Sequence, residues 1–157
     1  GPTIQFNEVN LGGGSRVGEE WKEGARRAVR AVLHAVGDSG HDWMITIKNR
    51  SATSLTDGMS ASAAVAVAIM AAHRGGVLRS DMVLSGQIRP DGRLDVVGGL
   101  PVKIEAAANA HYRAIIVPLD QVLTADWMSS TDVASRRRVQ LIQAGTLDEA
   151  YQAMTVR

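Results

Sequence analysis

The chain contains no cysteine, which excludes a disulfide framework, a thiolate zinc site and a cysteine nucleophile. Aromatic residues are only 4% of its 157 positions, too few for the stacking platforms that bind single-stranded nucleic acid. An excess of either charge is missing too. Seventeen basic residues face 16 acidic ones, so no electrostatic surplus points to nucleic acid. No apolar run reaches the ~18 residues that span a bilayer; the longest, residues 63–72, is short and rich in alanine. No signal peptide is visible, and Gly1-Pro2 reads as the scar of a cleaved tag. The expectation is a cytoplasmic protein with no membrane segment and no nucleic-acid partner.

What remains is an ordinary globular composition, 45% hydrophobic and 21% charged, over a length that suits one domain. The core must be built from Ala, Val, Ile, Leu and Met. Residues 3–9 alternate apolar and polar, as a half-buried strand does, and Gly12-Gly13-Gly14-Ser15 breaks that pattern. Apolar steps of three and four predict a helix over 17–36, stopped by Gly37. A strand is expected over 43–47, a polar loop over 48–59, and a helix over 60–73 that is apolar nearly all round and therefore buried, ended by Gly75-Gly76. Met82-Val83-Leu84 opens a strand, Pro90-Asp91-Gly92 is a hairpin turn, and the chain returns over 94–97. Pro101 suits the first turn of a helix reaching Ala110. A strand over 114–117 ends at Pro118, a short helix is expected over 120–128, a strand over 139–142, and Thr146 caps a last helix. Interleaved strands and helices imply an α+β fold, a mixed sheet with packed helices.

Several chemistries fail on inspection. Gly13 and Gly18 have phosphate-loop spacing, but Glu19-Glu20 follow where Lys and Ser or Thr are required. His34, His41, His73 and His111 form no ligand cluster, so no metal is expected. No G-x-S-x-G elbow occurs. The informative stretch is Thr56-Asp57-Gly58-Met59-Ser60-Ala61-Ser62-Ala63, a polar loop delivering a serine to the first turn of a small-residue helix. Asp57 or Ser60 there reads as a helix cap. The sharper reading is a nucleophile facing free N–H donors of the kind an oxyanion needs, with Gly58 and Ala61 small enough to admit a substrate backbone. A serine nucleophile needs a base. Lys103, forty-three positions downstream, sits at the start of a helix among Leu100, Val102, Ile104 and Ala106 to Ala108. It is either a solvated lysine or an amine whose pKa is depressed by apolar surroundings and the helix dipole into the range of a working base.

Taken together, these segments resemble the proteolytic domain of Lon proteases, serine–lysine dyad peptidases. Asp57-Gly58-Met59-Ser60-Ala61 is similar to that family's D-G-P-S-A motif. Ser85-Gly86-Gln87-Ile88-Arg89-Pro90-Asp91-Gly92 is similar to its [T/S]-G-x-I-x-x-x-G strand and turn. Val97-Gly98-Gly99-Leu100-Pro101-Val102-Lys103 is similar to its V/I-G-G-L-x-x-K motif. The resemblance covers roughly residues 12–154. It implies a division into a tag remnant and N-terminal strand over 1–11 and a Lon-like serine peptidase domain over 12–157.

The resemblance implies a serine endopeptidase acting on unfolded or damaged proteins. Ser60 and Lys103 would be the catalytic dyad, working through an acyl-enzyme. Ser85 would hydrogen-bond and orient the amine, and backbone N–H groups near Gly58, Met59 and Ser60 would form the oxyanion hole. Asp57 would either cap the helix or pair with Lys103 in an inactive state. No cofactor is implied in this chain, and ATP would enter only through an AAA+ segment elsewhere in a parent protein. A homo-oligomer, hexameric in the family, is the implied assembly; Trp127 and Arg136-Arg137-Arg138 are the surface features considered for it. The alternative is a catalytically silent Lon-like assembly or interaction module. Five positions depart from the family pattern: Met59 for proline, Ser62 for glycine, Gln87 for glutamate, and Pro101-Val102 for a charged pair.

Overall fold

Alternation of apolar residues sets the first element. In the computed structural model, which describes residues 1–8, 19–49, 60–124 and 129–156, β1 (Thr3–Glu8) pairs in parallel with β2 (Met44–Asn49). Ile4 and Phe6 lie beside Ile45 and Ile47 in register, half-buried. Parallel neighbours need a crossover, which is the amphipathic helix α1 (Glu19–Val36). It buries Ala25, Ala28, Val29 and Val32 and leaves Arg26, Arg27 and Arg30 outside around Glu23. Trp21 meets Phe6 edge-on at 6.1 Å, tying α1 to β1.

The centre is a three-stranded parallel sheet in the order β3 (Met82–Leu84), β6 (Ala114–Pro118), β7 (Gln140–Ala144). β6 is buried along its whole length, as a central parallel strand covered on both faces must be. The two-residue period splits its neighbours. Met82, Leu84, Ala114, Ile116 and Ala144 join one core with α1, α2 (Ser62–Arg74) and α5 (Leu147–Met154). Ile115 and Val117, with Val83 and Leu141, join the other with α3 (Leu100–Asn109) and α4 (Ser130–Arg137). A short hairpin, β4 (Gln87–Ile88) and β5 (Leu94–Asp95), turns at Gly92 with φ +90 and connects β3 to α3.

The expected α+β class, the hairpin, the Gly75 stop in its left-handed conformation and the Thr146 cap, whose Oγ1 accepts from the Glu149 N–H at 3.2 Å, are all present. Four expectations change. The helix expected from residue 60 begins at Ser62, because Ser60 and Ala61 form a turn anchored to the end of β3. That helix is buried along one face only, with Ala64, Val65, Ala68 and Ile69 outside its buried set. Residues 120–124 of the helix expected over 120–128 are not helical, since the chain turns on a Gln121 N–H to Pro118 C=O bond; 125–128 lie outside the described residues. α4 was not foreseen, because its eight residues hold a single large apolar side chain, Val133, and show no periodicity.

Candidate active site

Ser85 is the first residue past β3, and its N–H still bonds the Ile116 carbonyl at 2.9 Å. Strand alternation carries it to the same face as Val83, where α3 packs. There Ser85, 8% exposed, and Lys103 line one cavity of about 280 Å3. Its other walls are Val83, Ala106, Ala107 and Ile115, with Tyr112 beside them. Lys103 is the fourth residue of α3, and its N–H bonds the Gly99 carbonyl at 3.2 Å. Burial holds its amine below the usual lysine range, and no neighbouring charge contributes to that shift. Among the described residues no carboxylate pairs with the amine, and no hydrogen bond joins it to Ser85.

Ser60 is tied to the residue that follows Ser85. Its carbonyl accepts the Gly86 N–H at 3.2 Å, and the Gly86 carbonyl accepts the Ala63 N–H at 3.1 Å. A Cβ at Gly86 would meet the Ala63 Cβ at 3.5 Å and Pro118 at 3.4 Å, ordinary packing distances. Two residues after Ser60, the buried Ser62 hydroxyl accepts the Ile88 N–H at 2.8 Å. Ser62, a departure from the family pattern, thus sews α2 to β4, a role that its type gave no sign of. α2 has no side-chain cap, so a capping role for Ser60 is not realised. Asp57, Gly58 and Met59, with the roles read for them, lie outside the described residues, as does Trp127.

Between α2 and β2 runs an apolar groove of about 790 Å3. It starts at Ala61, beside Ser60, and passes Ala64, Val65 and Ala68 on the outer face of α2. Successive residues 43–47 line its opposite wall, where the described residues leave the second edge of β2 unpaired. Elsewhere, Arg136 and Arg137 both bind Glu105 and so clamp α4 to α3, leaving only Arg138 of the basic run without such a pair. Among the described residues no cluster of His, Asp and Glu could hold a metal ion, and no helix is long and apolar enough to cross a membrane.

The sequence of the Lon protease (S16) C-terminal proteolytic domain family, as a model, matches residues 11–155. The chain is 31% identical over 105 residues to an archaeal Lon protease of Methanocaldococcus jannaschii, covering 67% of this chain and 15% of that protein. It is 33% identical over 109 residues to Lon protease 1 of Herpetosiphon aurantiacus, covering 66% and 13%. To a Lon protease of Syntrophomonas wolfei it is 26% identical over 145 residues, covering 87% and 17%. The chain therefore spans less than a fifth of the length of these relatives.

Proposed function

Because the chain belongs to the Lon protease (S16) proteolytic-domain family, we propose that it is a serine endopeptidase acting on extended polypeptide, with Ser60 as nucleophile and Lys103 as general base. One observation carries this reading. The residue pair Ser85-Gly86 holds the Ser60 backbone through Gly86 and shares a cavity with the half-buried, pKa-depressed Lys103 through Ser85. Ser85-Gly86 thus links the Ser60 backbone on one side to the Lys103 cavity on the other, which supports the pairing of the two.

In the proposed reaction the neutral Lys103 amine takes the Ser60 hydroxyl proton as Oγ attacks the peptide carbonyl. The resulting ammonium gives that proton to the leaving amine as the C–N bond breaks, which leaves an ester on Ser60. Lys103 then takes a proton from water, whose oxygen attacks the ester, and returns it to Ser60 Oγ. Ser85 lines the cavity and limits where the amine can point. Peptide hydrolysis consumes only water, so this chain needs no ATP for the chemistry. The groove beside Ser60 supports an extended substrate: an unpaired strand edge offers main-chain hydrogen bonds, and the alanine face of α2 accepts apolar side chains. A ring of like subunits belongs to the same reading, with association that strengthens when a peptidyl inhibitor is bound.

The test is cleavage of an internally quenched, unstructured peptide. Ser60→Ala and Lys103→Ala should each lower kcat by about 1,000-fold or more, and the double variant should be no worse than either, because the two groups act as a unit. Substantial turnover by folded Ser60→Ala protein would overturn the proposal.

A further inference from the structure

We infer that Gln121 is a positioning residue for Lys103: its carboxamide clasps the Val97 peptide group and so sets the start of α3. This rests on the dyad reading and adds to it a residue from a separate element. The Gln121 Oε1 accepts the Val97 N–H at 3.0 Å, and its Nε2 donates to the Val97 carbonyl at 2.9 Å. A carboxamide is the one uncharged side chain that presents a donor and an acceptor side by side, so it pairs with Val97 as a neighbouring strand would.

Val97 needs such a partner. It is buried, and it lies beyond the last residue of β5, with no strand pairing of its own. Directly after it come Gly98 and Gly99, the latter at φ +66, and then α3, which has no side-chain cap. From Val97 to Lys103 the path is six residues. It is held by the Gly99 carbonyl to Lys103 N–H bond and by the burial of Leu100 and Pro101. Two glycines in succession give the backbone there wide freedom, so apolar packing alone leaves the axial position of α3 soft. The clasp fixes it from outside. Gln121 is itself fixed by its N–H bond to Pro118 at 3.1 Å, at the end of the fully buried β6. A rigid strand of the sheet thereby sets the height at which Lys103 meets Ser85. Nothing in the stretch around Gln121, read from the sequence as the start of a short helix, signals this.

The experiment compares Gln121→Met, which keeps length but removes both polar atoms, with Gln121→Glu, which keeps the acceptor and loses the donor. Gln143→Met is the control, its amide bonding only the Leu119 carbonyl at the sheet edge. Cleavage of the quenched peptide is followed together with amide hydrogen exchange. Loss of alignment should lower kcat by about 10- to 100-fold for Gln121→Met, less for Gln121→Glu, and not for Gln143→Met, with KM nearly unchanged. Exchange should quicken over residues 97–103 while β6 and β7 stay protected. Wild-type kcat in either Gln121 variant overturns the inference, as does faster exchange spread evenly over the sheet. Where Gln121→Met does not fold, Gln121→Glu decides alone. Ser60→Ala is assayed alongside: if it retains activity the dyad reading fails, and the exchange pattern still decides whether Gln121 holds α3.

Discussion

The starts of α2 and α3, beside which lie Ser60 and Lys103, the two groups proposed to react, can be set against each other. Neither helix has a side-chain cap, whereas α4 and α5 are capped by Ser129 and Thr146. At α2 the missing cap is replaced by three bonds to one strip of chain: Ser60 carbonyl to Gly86, Ala63 N–H to Gly86, and Ser62 hydroxyl to Ile88. At α3 a left-handed glycine and a single carboxamide clasp do the work. The Ser60 end is thus held by hydrogen bonds to one strip of chain, and the Lys103 end by the burial of Leu100 and Ile104 and the clasp at Val97. Damage at α2 should register mainly as lost stability, and damage at α3 mainly as lost rate.

The strongest way to sharpen this contrast is Lys103→Met. It should abolish turnover, by about 1,000-fold or more, while leaving stability equal or higher at neutral pH, since a half-buried cation has gone. The sign follows from linkage. The folded pKa lies below the unfolded value of about 10.4, so between the two the unfolded chain binds more protons and stability rises with pH. Urea denaturation from pH 7 to 10 should show that rise in the parent protein and not in Lys103→Met.

Ser62→Ala tests the other end. It strands the Ile88 N–H beside a buried site, at a cost of about 1–3 kcal/mol in urea denaturation, and it should change kcat far less than Lys103→Met does. A large rate loss at unchanged stability would break the comparison.

The smallest effect belongs to Asp81, remote from both helix starts. Hydrogen bonds from Arg79 and then Arg113 hold its carboxylate down to about 2. Its contribution is present above the ordinary value of 3.8 and is lost as pH falls from there towards 2. Asp81→Asn should therefore lower Tm slightly at neutral pH, with the difference closing in acid. The carboxylate is partly exposed, so screening by salt should shrink the effect further.

The parts that could be read from the sequence are those with local causes. Strand alternation, the Gly75 stop, the Pro90-Asp91-Gly92 turn and the Thr146 cap each depend on neighbours within a few residues, and each is present. Ser60, Ser85 and Lys103 were legible as three ordered motifs. The rest depends on contacts distant in sequence. Ser62 was read only as a departure, because its partner Ile88 is 26 residues away. Gln121 meets Val97 across 24 residues. The three arginines at 136–138 were read as a surface run, and they lie at the surface; the pairing of Arg136 and Arg137 with Glu105, about thirty residues earlier, was not legible. Ser85 was expected to hydrogen-bond the lysine amine, and the structure gives the two a common cavity without that bond.

The central claim is that Ser60 is activated by a neutral Lys103. The most direct measurement is the rate at which a fluorophosphonate labels the protein as a function of pH, with the modified residue identified by mass. Tyr112 is the other titratable side chain among the described residues lining the cavity, and Glu105 on the same helix is already paired with Arg136 and Arg137. The expected result is label on Ser60, a rate that rises with pH along one ionisation below that of a free lysine, and loss of labelling in Lys103→Met. Label on another residue, or an unchanged rate in Lys103→Met, would contradict it.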